Sequence, residues 1–263
     1  MTYPQALVLG VVQGVTEFLP VSSSGHLILV PRLLGWPDQG LAFDAAIHLG
    51  TLAALLAYFR AELLGFVSGT MSPRVAGLLI VATVPGGLAG LLFDKYVEAH
   101  FRSALLVAAS TAAWAVVMAV ADRRAAPPPP PTADPLERVS AGQAIAVGCA
   151  QALALVPGTS RSGITITAAL FGGLDRATAA RFAFLLGIPI TAAAGGLKLL
   201  GLLRHGGLTG PEVGPLAAAT AAAFLSGWVA VWFLVGYLKR NSLAPFVAYR
   251  LLLAAVIAAV VLR

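Results

Sequence analysis

Charge is what this chain has least of. Asp, Glu, Lys and Arg make up 11% of its 263 residues, against roughly 25% in a soluble domain. Hydrophobic residues reach 59% and mean hydropathy is +0.88, so a soluble globular domain is excluded and the composition is that of an integral membrane protein. Cysteine is nearly absent as well. Cys149 stands alone, which excludes an internal disulfide and a cysteine zinc cluster; it reads as a small buried apolar residue. Acids number 11 against 17 Lys and Arg, a formal charge of +6. The basic residues are dispersed, which argues against nucleic acid and for membrane rims and anionic head groups. Met1 to Leu19 lacks a basic leading segment and does not read as a cleaved signal peptide.

What is present is long hydrocarbon. Apolar runs of spanning length, about 17–25 residues, lie near 42–60, 75–93, 103–121, 177–200, 214–238 and 245–262. Two further stretches, 4–34 and 140–173, are broken midway by Pro, Gly and Ser, and each half is too short to cross alone. They read as re-entrant helix–loop–helix hairpins. Between the two sets runs 123–138 with Pro127 to Pro131, a solvated linker rather than a span.

The halves look related. QGVTEFLPVSSSG at 13–25 parallels QALALVPGTSRSG at 151–163, each beginning with Gln, ending in Ser-Gly, and carrying a midway proline followed by hydroxyls. Three spans follow each broken unit, and an odd number of crossings turns the second unit over. The expected fold is all-α: six transmembrane helices plus two opposed re-entrant hairpins in an inverted-topology repeat. The first repeat is 1–122 and the second 139–263. On this topology Arg60, Arg74, Arg123, Arg124, Arg138, Arg176, Lys239 and Arg240 share one side. Arg32, Lys95, Arg102, Lys198, Arg204 and Arg263 share the other. The excess of the first group places it in the cytoplasm and both termini outside.

Polar groups at membrane depth survive only inside protein or a wet cavity. Gln13 and Glu17 share a helix face, and Ser22, Ser23, Ser24 and His26 follow Pro20. Carboxylate, hydroxyls and imidazole together could supply base, nucleophile and acid. In the other break, Thr159, Ser160, Ser162 and Gly163 surround Arg161 at the start of a new helix. Free N–H groups, the helix dipole and a guanidinium fork suit phosphate oxygens. Blander readings stand beside these: helix packing for Ser22 and Ser24, snorkelling for Glu17, a satisfied membrane histidine for His26, and a purely structural Arg161–Glu17 pair. Asp44 and His48 could support the site or, for Asp44, simply face solvent at the rim. His100 and His205 read as loop residues without a catalytic part.

The stretch from Gln13 to His26 resembles the glutamate-rich signature of the undecaprenyl-diphosphatase (bacitracin-resistance) family, and Pro157 to Gly163 resembles its second signature. FDAAIHLGT at 43–51 and PFVAYR at 245–250 extend the likeness over nearly the whole chain. The resemblance implies hydrolysis of a C55 polyprenyl diphosphate to the monophosphate in the bacterial cytoplasmic membrane, recycling the lipid carrier for peptidoglycan synthesis. It implies critical roles for Glu17, Ser23, His26 and Arg161: Ser23 as nucleophile, Arg161 as phosphate clamp, Glu17 in base or metal-binding work and His26 in proton transfer. It also implies a divalent cation, Mg2+ or Ca2+, with Glu17 and Gln13 as ligands. Gln13 stands where the family has Glu or Gln, and an amide cannot serve as a base. The partners expected are the lipid substrate and membrane lipids; a homodimer stays open. A polyprenyl-phosphate transporter or flippase is the alternative, because inverted repeats with broken helices also build carriers. The other membrane lipid phosphatase superfamily is excluded, since no His follows Arg161 before His205.

Overall fold

A computed structural model describes residues 1–37, 39–101, 103–128, 134–204 and 210–262. Side chains are described within these except at 41, 42, 94, 95, 98, 99, 198, 201–204 and 210–212. The orientation residues Lys95, Arg102, Lys198, Arg204 and Arg263, together with His205 and the centre of the proline run, lie outside that set.

The described chain forms eleven α-helices and, among the described residues, no strand. The first broken unit is α1 (Tyr3–Phe18) and α2 (Ser23–Leu34); the second is α7 (Ala141–Ala152) and α8 (Arg161–Phe171). At 16 residues α1 is the longest of the four, and at 1.5 Å per residue it covers about 24 Å, short of the roughly 30 Å hydrocarbon core. The remaining helices are α3 (Gly40–Tyr58), α4 (Arg60–Ser68), α5 (Pro73–His100), α6 (Ala104–Asp122), α9 (Arg176–Arg204), α10 (Gly210–Tyr237) and α11 (Ala244–Val261). Among the described residues, five of these, α5, α6, α9, α10 and α11, are long and apolar enough to cross a membrane alone. The run expected at 42–60 is α3, which ends at Tyr58 and turns by 63° into the short α4. Arg60 and Glu62 prevent the apolar path from continuing, and Glu62 is drawn instead to Arg181 of α9 (3.2 Å), which also holds Asp134 (3.1 Å).

Local signals fix the ends. Thr2 caps α1 and Gln5 reaches back to the Thr2 N–H; Ser140 and Gln143 make the same reciprocal cap on α7. Thr2 and Ser140 are 138 residues apart, as are Gly10 and Gly148, Gln13 and Gln151, Ser22 and Ser160, and Gly25 and Gly163. Packing follows the same correspondence. Helix α1 lies on α10 while α7 lies on α5; α2 meets α11 while α8 meets α6; α3 pairs with α9, and α6 with α11. Small residues make the closest of these contacts, as is usual where lipid removes the hydrophobic drive between helices. A Cβ at Gly10 would collide with the Ala219 carbonyl oxygen on α10, and one at Gly148 with the Ala82 carbonyl oxygen on α5.

Residues 125–128 carry no regular secondary structure, and a 3₁₀ turn at Pro135–Arg138 leads into α7. Arg74 of α5 donates to the Glu137 and Val139 carbonyls at 2.8 and 2.7 Å, pinning this turn. Cys149 is exposed rather than buried, because the inward face of α7 is taken by Ala144, Val147, Gly148 and Gln151. His100 ends α5 instead of lying in a loop, its Nδ1 donating to the Tyr96 carbonyl at 2.8 Å.

Candidate active site

The two breaks touch. Each new helix starts at a serine held in the left-handed region, Ser22 at φ 75° and Ser160 at φ 68°; these are the non-glycine residues with positive φ among the described residues. Such backbone costs of order 1–3 kcal/mol and persists only where surroundings enforce it. Each serine caps its helix, Ser22 Oγ accepting from Gly25 N–H and Ser160 Oγ from Gly163 N–H. The following serines tie the units together. Gly158 N–H donates to Ser24 Oγ at 3.2 Å, and Ser162 Oγ donates to the Leu19 carbonyl at 3.3 Å.

That stitching brings together groups that are 144 positions apart in the chain. Arg161 Nη2 donates to Glu17 Oε1 at 2.7 Å. Glu17 Oε2 accepts from Ser23 Oγ at 2.9 Å and from Gln13 Nε2 at 3.1 Å. Glu17 and Gln13 are buried, while Ser23 and Arg161 are partly exposed, so the carboxylate is enclosed and the hydroxyl and guanidinium are reachable. On its far side, Arg161 Nη1 donates to the Gly187 carbonyl at 3.2 Å and to Thr191 Oγ1, both on α9. The Arg161–Glu17 contact expected as a structural alternative is present, and Ser23 shares the same carboxylate.

His26 sits elsewhere. A carbonyl only accepts, so Nδ1 carries its hydrogen to the Ser22 oxygen at 2.8 Å, and Nε2 of the neutral ring accepts from the Tyr249 hydroxyl at 2.6 Å. The imidazole lies parallel to the Tyr249 ring, facing α11. Neither nitrogen bonds Ser23 or Glu17 among the described contacts, so the expected proton transfer has no direct hydrogen-bonded route. Ser22 and Thr159, expected to touch substrate, are fully buried. Ser22 Oγ serves as the cap and contacts Ser24 Oγ, and Thr159 Oγ1 lies 3.3 Å from Ser110 Oγ on α6. Ser23, Ser24, Ser160 and Arg161 are the partly exposed members of the set.

Three residues that the sequence reading left unassigned or undecided belong here. His48 Nε2 stands 3.9 Å from Glu17 Oε2, and its Nδ1 donates to the Asp44 carbonyl at 2.6 Å; Asp44 itself accepts from Gln39 Nε2. Thr191 anchors Arg161. Arg250, on α11, is buried against both breaks. The same signal that singled out Arg161, a guanidinium inside an apolar run, was present for Arg250 in 245–262.

Electrostatically the centre is short of anions. The starts of α2 and α8 meet there, each a positive dipole end, together with Arg161, while Glu17 is the carboxylate that pairs with it among the described residues. An anionic ligand fits that imbalance. Among the described residues no three His, Cys, Asp or Glu side chains gather as a metal set. A small hard cation nevertheless commonly uses one or two carboxylates and completes its shell with water and substrate phosphate oxygens. Gln13 Oε1, buried and without a hydrogen-bond partner beside Glu17, is a spare oxygen of the kind required. Glu17 and Gln13 therefore fit a divalent cation that a phosphate ligand helps to hold.

The family model described as "Bacitracin resistance protein BacA" matches residues 6–256. An undecaprenyl-diphosphatase of Moorella thermoacetica is 47% identical, covering 99% of this chain and 98% of its own length. One of Geobacter sulfurreducens is 46% identical over 96% of both chains. One of Hahella chejuensis is 44% identical over 97% of both.

Proposed function

This chain belongs to the bacitracin resistance protein BacA family, and from that membership and the site's geometry we propose that it is a phosphatase of the bacterial cytoplasmic membrane. Its substrate is undecaprenyl diphosphate, a C55 polyprenyl diphosphate, which it hydrolyses to the monophosphate and inorganic phosphate. The product returns as lipid carrier for peptidoglycan synthesis, and its supply confers bacitracin resistance. The curated relatives named above are called diphosphatases, and no carrier is named among them. One observation carries the reading: a single enclosed carboxylate, Glu17, accepts hydrogen bonds from the Ser23 hydroxyl of its own half and from Arg161 of the other.

Phosphoryl transfer needs an aligned nucleophile and stabilisation of charge on the transferring oxygens. Ser23 Oγ attacks the terminal phosphorus in line while Glu17 Oε2 takes the hydroxyl proton. The P–O bond to the lipid monophosphate breaks, that monophosphate leaves, and a phosphoserine remains. Water then attacks the phosphoserine, Glu17 returns a proton to Ser23 Oγ, and phosphate departs. Arg161 stabilises the equatorial oxygens, helped by the N-terminus of α8 and by the partly exposed Ser160 hydroxyl. As the diphosphate draws Arg161 toward itself, Glu17 loses a competing donor and becomes a stronger base toward Ser23. Glu17 and the Gln13 amide oxygen would hold a divalent cation, Mg2+ or Ca2+, which would supply neutralisation of the diphosphate charge when bound. His26 fixes the first turn of α2 through the Ser22 carbonyl and ties that helix to α11 through Tyr249.

The broken units enter and leave the membrane on one face each, as two opposed re-entrant hairpins of an inverted repeat, 1–122 and 139–263. The 138-residue correspondence and the exchanged packing of α1 on α10 and α7 on α5 support this. Phosphate release from a long-chain prenyl diphosphate by the purified protein in detergent tests the whole proposal. Release is expected with Mg2+ or Ca2+ and is lost on chelation; a protein that releases none under either condition is not this enzyme.

A further inference from the structure

Arg250 is the bulkiest of the fully buried side chains, at 1% exposure. Its Nε donates to the Thr111 carbonyl of α6 at 3.3 Å and Nη1 to the Pro20 carbonyl in the first break at 3.3 Å. Nη2 donates to the Gly158 and Thr159 carbonyls in the second break at 3.0 and 3.1 Å. No Asp or Glu side chain forms an ion pair with it among the described residues. A buried guanidinium without a carboxylate is costly, and what compensates it here is four backbone carbonyls: Thr111 within α6, and Pro20, Gly158 and Thr159 at the chain breaks, where no helix ladder claims them. Room is made for it by Gly163, where a Cβ would stand 3.2 Å from Nη1.

We infer that Arg250 is a positioning residue that sets the register of the two breaks, so that Glu17 and Ser23 face Arg161. Pro20 lies midway between Glu17 and Ser23, and Thr159 lies two residues before Arg161. A single rigid fork therefore holds the backbone on both sides of the catalytic gap without entering it. Tyr249, the preceding residue, bonds His26 on α2, so one turn of α11 fixes both the break and the helix that follows it. Lysine carries the charge but not the planar fork that reaches three segments at once.

The inference rests on the phosphatase reading for its kinetic test and has a second readout that does not. Arg250→Lys is expected to fold, with a melting temperature in detergent near that of the parent. Its kcat falls about a hundredfold, the cost of roughly an ångström of misplacement, while KM stays within about threefold. Arg250→Gln, which removes the charge and keeps two donors, follows the same pattern with a larger loss. Spin labels on Leu33→Cys and Phe171→Cys, in a Cys149→Ala background, read the distance between the far ends of α2 and α8. The distribution is expected to be narrow in the parent and broad or shifted in both variants. Parental turnover in Arg250→Lys, or a change confined to KM, overturns the inference, as does an unchanged distance distribution. If neither variant folds, Arg250 secures the whole molecule rather than the breaks, and the inference is lost. If the parent releases no phosphate, the phosphatase reading fails, and the distance measurement still decides the role of Arg250.

Discussion

The two broken helix units share a frame and divide the chemistry. Both carry the same reciprocal cap, the same buried Gln, and the same positive-φ serine that starts a new helix. Position for position, Ser23 corresponds to Arg161, so the proposed nucleophile and the proposed clamp occupy the same first residue of twin helices. Glu17 corresponds to Leu155 and His26 to Ile164. The consequence is visible in the two glutamines. Gln13 donates to Glu17, whereas neither amide atom of Gln151 has a partner, because the residue one turn on is leucine. A repeated backbone brings two helix starts together, and asymmetric side chains make one centre out of them instead of two.

Substitutions that erase or exaggerate this asymmetry test it. Arg161→Ala should be the most damaging, lowering phosphate release by about 10³-fold or more, the scale of arginine stabilisation in phosphoryl transfer. The exchange Ser23→Arg with Arg161→Ser should be equally inactive, since Glu17 remains on one side only; recovered turnover would mean that the halves are interchangeable. Glu17→Gln should cost about 10²–10⁴-fold, the usual range for a general base, seen as a fall in kcat.

The glutamine pair should split. Gln13→Leu removes a donor from Glu17 and should lower turnover about tenfold, equivalent to one hydrogen bond to a charged group. Gln151→Leu should leave turnover unchanged and raise stability in detergent by about 1 kcal/mol, because a buried amide without partners is replaced by an apolar group. Equal effects at both positions would contradict the division of labour. Smallest of all, Cys149→Ala should leave melting temperature and turnover within error, as expected of an exposed side chain outside the site.

Much of this was legible from residue order. The six apolar runs and both interrupted stretches correspond to helices within a few residues, because hydrocarbon runs and Pro/Gly/Ser breaks are local signals. The association of Glu17, Ser23 and Arg161 was also expected, since a carboxylate and a guanidinium stranded in apolar surroundings need each other. The turn from α3 into α4 falls at Arg60 and Glu62, the charges that bound the apolar run, but the pairing of Glu62 with Arg181 was not legible, because its partner lies far along the chain. His26 was placed with the reacting groups on proximity in sequence, but side chains three residues apart on a helix start need not point to one partner. Its ring turns to Tyr249, which no local pattern reveals. Arg250 carried the right signal and had no candidate partner, because its acceptors are backbone carbonyls.

The amino-acid order alone determined that the chain lives in a membrane, where its helices begin and break, and which polar groups must be sheltered, since each follows from the cost of exposing charge or unpaired backbone to hydrocarbon. Tertiary structure decided the geometry in which the sheltered groups meet. Glu17 and Arg161 pair across 144 positions, and Arg250 reaches both breaks from α11, through helix packing set by glycine contacts and carbonyl acceptors that leave no periodic mark in the sequence.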